Sequence, residues 1–247
     1  MPPEVTLYSL VPAAIAVFAA SLAKSTTGFG FALVSVPLLL LLWEPIYVVP
    51  IVIPLVLTTD ILIVFNNRKA LEPKRVAPMV VAGLTGIPLG AYILIAAQPE
   101  VLRLVIALLV LAAGTALLAG FTINIGRERL ASGIAGLVSG VLASSTGISG
   151  PPVSLFMINQ RWEKLTFRTS ISLYFLFIDS FTMFMLAVTG ALGFQTLQVS
   201  AALWLPVLLG YVLATRILPH IQQRLFIRLA TVIVMGSGVV TIADVVR

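Results

Sequence analysis

Apolar residues run through this chain in long blocks, separated by short polar segments. A block of about 16–22 residues, wound as a helix, crosses a hydrocarbon core about 30 Å thick. The repeated polar pattern of a membrane barrel strand is missing, so the blocks predict helices. Full spans are expected at about 46–65, 76–97, 101–121, 169–189, 197–215 and 225–244. Two further apolar stretches, 7–43 and 130–158, are broken by the polar runs "AKSTTGFG" (23–30) and "ASSTGISGPP" (143–152). Serine, threonine, glycine and paired prolines are poor material for a continuous helix. Each stretch therefore predicts a re-entrant hairpin with its tip inside the membrane, or two short tilted spans. Each arm of about 13–16 residues reaches only about 20–24 Å, short of the full core. The expected fold is an all-α polytopic membrane protein, one transmembrane domain over residues 1–247.

Sliding the chain by 119 residues aligns its halves without a gap for about forty positions. Ser25, Thr27 and Gly28 meet Ser144, Thr146 and Gly147. Val34-Ser35 meets Val153-Ser154, and Trp43-Glu44 meets Trp162-Glu163. Leu57, Asp60 and Phe65 meet Leu176, Asp179 and Phe184. The expected repeats cover about 1–123 and 124–247, each a broken hairpin followed by three transmembrane helices.

Charge then sets the orientation. The basic loop "NNRKALEPKR" (66–75) corresponds to the uncharged "TGALGFQ" (189–195). The basic "NQRWEKLTFR" (159–168) corresponds to "LLLWEPIYVV" (40–49), which has no Lys or Arg. If basic loops are cytoplasmic, the halves are inserted in opposite senses. Arg103 fits this pattern poorly. Both termini are then expected outside the cytoplasmic membrane, and the two tips enter from opposite faces to lie near the midplane. The net charge of +6 and the 10% charged content speak of topology, so nucleic acid is not an expected partner. The absence of cysteine and the single histidine, His220, argue against a metal centre or thiol chemistry. No cofactor and no catalytic residue is expected. The start "MPPEVTLYS" has no basic n-region, so the first apolar block is expected to remain a membrane segment. Association into a homodimer is compatible with the sequence, which does not set a number.

The segments "STTGFGFALVSVPLL" and "GLVSGVLASSTGISGPPVSLFMI", with the two-copy layout, resemble the TauE/SafE family of membrane permeases. The resemblance covers essentially the whole chain. It implies export or uptake of small sulfur-containing anions such as sulfite, sulfoacetate and related sulfonates, with an exporter the expected direction here. One departure is Phe29, which stands between Gly28 and Gly30 where richer versions of the motif carry another glycine.

Helix N-termini have unpaired N–H groups and a partial positive charge, which suit an anion. The anion-binding candidates of the first break are Lys24, Ser25, Thr27, Gly28 and Gly30. Those of the second are Ser144, Ser145, Thr146, Gly147, Ser149 and Gly150, with Pro151 suited to a new helix's first turn. Close helix packing by small residues is the competing explanation. Lys24 has no counterpart in the second half, where Ala143 stands; it is either an anion attractant or a side chain snorkelling to an interface. Asp60 and Asp179 are matched carboxylates within spans. They could carry a coupling proton, cap a re-entrant loop or make a structural bond, and Asp60 could pair with Arg68 or Lys69. Trp43 and Trp162 read as interfacial anchors. Gly83, Gly86 and Gly90 read as a helix-packing face.

Two other classes compete with a carrier. The same hairpins could line an anion channel, which would show flux that never saturates. "GISG" (147–150) also resembles the Gly-x-Ser-Gly of rhomboid intramembrane proteases, with Ser149 as nucleophile. That chemistry needs a base within hydrogen-bond reach, and His220 is expected in a basic cytoplasmic segment away from the tip.

Overall fold

Prolines and glycines punctuate the apolar blocks, and the helices start and stop at them. The computed structural model describes residues 7–119 and 128–216. The helices are α1 (Leu7–Thr27), α2 (Phe31–Leu39), α3 (Pro45–Asn66), α4 (Pro73–Ala96), α5 (Pro99–Ala119), α6 (Glu128–Thr146), α7 (Gly150–Asn159), α8 (Lys164–Val188) and α9 (Phe194–Arg216). Pro45, Pro73 and Pro99 open α3, α4 and α5, where a missing N–H costs nothing. No strand occurs among the described residues. The chain is a polytopic, all-helical membrane protein. Six described helices, α1, α3, α4, α5, α8 and α9, are long and apolar enough to cross a bilayer. Five of the expected spans coincide with α3, α4, α5, α8 and α9. The sixth, 225–244, lies outside the described residues, as does His220.

The expected arm lengths need correction. Each broken stretch has one long and one short arm: 21 and 9 residues for α1 and α2, 19 and 10 for α6 and α7. The long arms are roughly 28–32 Å and the short ones roughly 13–15 Å. The hydroxyl residues before each break do not interrupt the helix. Thr26 and Thr27 lie 2.8 Å from the Ala23 carbonyl, and Thr146 donates to the Leu142 carbonyl at 2.8 Å. A hydroxyl that bonds the carbonyl one turn back is satisfied inside the helix, so it does not force the helix to end. Only the triplets 28–30 and 147–149 are non-helical.

The most extensive helix contacts join α4 to α6 and α1 to α9, so the first helix of each half packs on a span of the other. Lipid tails are as apolar as leucine, so close packing must replace the hydrophobic drive. Gly83, Gly86 and Gly90 of α4 sit against Gly136, Gly140 and Ser144 of α6. A Cβ on Gly86 would stand 2.5 Å from the Leu137 carbonyl oxygen. Ser144 adds a hydrogen bond to the Ile87 carbonyl at 2.7 Å. On the other side, Gly210 of α9 lets Phe18 and Ser21 of α1 come close, and Ser21 donates to the Val207 carbonyl at 2.7 Å. The aligned spans α3 and α8 also pack on each other. Large apolar side chains such as Ile15, Ile61, Phe65, Leu89, Phe184 and Leu205 are exposed, as a lipid-facing perimeter requires.

Candidate functional site: a cavity between two helix breaks

Each break is built around a glycine with positive φ, +88° at Gly28 and +74° at Gly147. An L-side chain pays steric strain in this region. Gly28 also has no room for one, since a Cβ would lie 2.8 Å from Arg168 Cα. The threonine before each glycine fixes the turn. Thr27 Oγ1 accepts the Phe29 N–H at 3.3 Å, and Thr146 Oγ1 accepts the Ile148 N–H at 3.2 Å. The two turns are thus held alike.

The breaks pass one another rather than meeting end to end. Gly28 abuts Arg168 and Ile171 in the first two turns of α8. Gly147 faces Val36 of α2 and Val49 in the second turn of α3. Between them lies a cavity of about 20 Å³. One wall is Gly30, Phe31, Ala32 and Leu33; the other is Gly147, Ile148, Ser149 and Gly150. Lys24, Val56 and Phe175 complete it, the last two halfway along α3 and α8.

The two walls differ chemically. In α2 the first helical bond runs from Val34 N–H to the Gly30 carbonyl at 3.1 Å, so the amides of Phe31, Ala32 and Leu33 precede it. They form a helix N-terminus that favours negative charge. In α7 the corresponding positions hold Pro151 and Pro152, which have no N–H. Amides without a helical partner are therefore concentrated on the first wall. Lys24 stands on that side too.

Lys24 is 1% exposed, which excludes snorkelling. Its Nζ lies 2.8 Å from Asp60 Oδ1 and 2.9 Å from Oδ2, and 4.6 Å from the centre of the Phe175 ring. Asp60 is fully buried, so the suggested pairing with Arg68 or Lys69 gives way to Lys24. Arg68 instead lies over the Phe65 ring at 5.8 Å. Asp179, 2% exposed, is within electrostatic reach of both Asp60 and Lys24. Ser172 and Thr182 lie seven residues before and three after Asp179, on one face of α8. Ser25, Thr182 and Asp179 Oδ2 are buried without a hydrogen-bond partner, and the buried Ser172 hydroxyl stands beside Asp60.

Of the residues singled out in sequence, Lys24, Gly30, Gly147, Ser149 and Gly150 line the cavity. Gly28, Thr27 and Thr146 shape the turns behind it. Ser144 bonds to α4, and Ser145 returns to the Val141 carbonyl at 2.7 Å. Ser25 is buried outside the lining. Sequence reading passed over the Phe31–Leu33 amides, Val56 and Phe175. The signal for the last two was the 119-residue alignment, which matches them to each other. The link from Lys24 to Asp60 was also missed, although opposite charges buried in one membrane domain need partners. For a rhomboid-like Ser149, the only histidine lies outside the described residues. No cluster of metal-binding side chains occurs among the described residues.

The family model for the sulfite exporter TauE/SafE matches residues 13–241. No curated protein and no solved structure gives a match. Members of the matched family are membrane transporters of sulfur anions rather than enzymes. Because the match runs across nearly the whole helical chain, this protein belongs to the TauE/SafE sulfite exporter family.

Proposed function

We propose that the chain exports a small sulfur oxyanion (sulfite, sulfoacetate or a related sulfonate) across the cytoplasmic membrane, with the anion held between the two breaks. The observation that supports this reading is the cavity, which Lys24 and the first-turn residues of α2, Phe31, Ala32 and Leu33, line together. Backbone amides at a helix start and a cation are the standard means of holding an oxyanion in a water-poor site. The cavity's 20 Å³ holds about one water molecule. An oxyanion of four or more heavy atoms needs the walls to part. Opening the breaks toward one face and then the other is alternating access, in which the two halves rock about the bound solute. The basic loop with Arg68, Lys69, Lys74 and Arg75 would face the cytoplasm.

The test is flux in proteoliposomes holding the purified full chain, loaded with labelled sulfite, sulfate or an alkyl sulfonate. Saturable flux of sulfite or the sulfonate is expected, falling several-fold in Thr27→Val, which loses the hydroxyl that fixes the first break. Flux no faster than in protein-free vesicles removes the transport reading. Flux that rises linearly with concentration favours the channel.

A further inference from the structure

Lys24 belongs to two settings. Its ammonium contacts both carboxylate oxygens of Asp60, and the residue lines the cavity. This inference rests on the reading of that cavity as the anion site. One ammonium cannot fully pair with both a carboxylate and a bound oxyanion. In a buried setting an unpaired charge costs several kcal/mol, so the loser must be compensated. The charged groups around Asp60 are few. α1 supplies Lys24, and α8 supplies Asp179, with Tyr174 on the same helix. α9 brings Tyr211, whose hydroxyl is bonded to Asn66 at 2.7 Å. The short arms α2 and α7 bring no ionisable side chain. Arg168 of α8 is also partly buried, against Gly28, and interacts with Tyr211; among the described residues the cation acting on Asp60 and on the second carboxylate, Asp179, is Lys24. Adding an anion to this set adds a negative charge that must share the Lys24 ammonium with Asp60.

We propose that Lys24 is shared between Asp60 and the transported anion, so that each anion bound brings one proton onto the Asp60–Asp179 carboxylates. The proton comes from the aqueous phase that the open cavity faces and forms an O–H bond on a carboxylate oxygen. Lys24 then turns its N–H groups to the anion. When the anion leaves on the other side, Lys24 returns to Asp60 and the proton is released there. Anion and proton cross together, and the sum of their gradients sets the direction of net flow. Ser172, beside Asp60, and Thr182, one turn from Asp179, supply hydroxyls that can accept a bond from a protonated carboxyl.

The experiment counts protons. The purified full chain in lightly buffered detergent solution is titrated with methanesulfonate, which has no ionisable group near neutral pH, and with sulfite. A pH dye reports proton uptake, and calorimetry reports anion binding. The wild type is expected to take up about one proton per methanesulfonate bound, with affinity weakening about tenfold per pH unit on the alkaline side. Asp60→Asn is expected to bind the anion with little proton uptake and a flat pH dependence. Wild-type binding with no proton uptake and pH-independent affinity overturns the inference, and needs no variant to do so. Full uptake persisting in Asp60→Asn overturns it as well. A wild type that binds neither methanesulfonate nor sulfite instead overturns the anion site itself.

Discussion

Lys24 and Asp60 form an ion pair closed off from water between α1 and α3. Both are at most 2% exposed, and each is the other's charge partner. Removing one half of a buried pair leaves a charge without solvent, a loss of about 3–5 kcal/mol. Replacing both by apolar groups removes that penalty. Lys24→Met is therefore expected to lower stability by about 3–5 kcal/mol, and Lys24→Met/Asp60→Leu to recover most of it. Thermal unfolding in a fixed detergent checks this. A double variant no more stable than the single would mean that the pair holds the fold through something other than its charge. The double variant should still lose anion transport, because the cavity then has no cation.

At the scale of elements, small residues decide where helices meet. Gly83 and Gly140 bring the α4 and α6 backbones together so closely that a methyl on Gly140 would overlap the Gly83 carbonyl. Gly133, on the same helix, has nothing within 4 Å of where its Cβ would be. Gly140→Ala is expected to push the helices apart and cost about 1–3 kcal/mol. Gly133→Ala gains helix propensity and is expected to be neutral or stabilising by up to about 1 kcal/mol. Unfolding midpoints of the two variants in one detergent give the comparison. Equal midpoints would show that the α4–α6 seam tolerates more space than its geometry implies. The same logic explains the breaks, where a threonine hydroxyl and a left-handed glycine turn a long helix into a short one within three residues.

At the scale of the whole molecule, the proposed cycle requires the two breaks to separate. Phe29 Cβ stands 3.9 Å from where a Cβ on Gly150 would be. That matches the mean Cβ–Cβ distance of a disulfide, about 3.8 Å. The chain has no cysteine, so Phe29→Cys/Gly150→Cys introduces a single, unambiguous pair. Oxidation is expected to lock the breaks together and stop sulfite flux in proteoliposomes, and reduction to restore it. Undiminished flux in the oxidised protein, with the cross-link verified by mass, would mean that the walls need not part.

The order of apolar blocks, and the glycines and prolines between them, determined the helices. Bilayer thickness and the need to satisfy every backbone group leave few other options. The two breaks were visible for the same reason, and their 119-residue spacing singled them out. Their length was misread because serine and threonine look like helix breakers in sequence, while in three dimensions Thr27 and Thr146 bond back along the helix and stay within it. Which hydroxyls face a cavity, and which merely hold α6 to α4, depends on rotation about a helix axis set by neighbours. Only packing fixed that. The pairing of Lys24 with Asp60 crosses from α1 to α3, and composition leaves a buried lysine free to choose among several carboxylates. Tertiary structure made the choice, by bringing one of them within 3 Å while burying both from water.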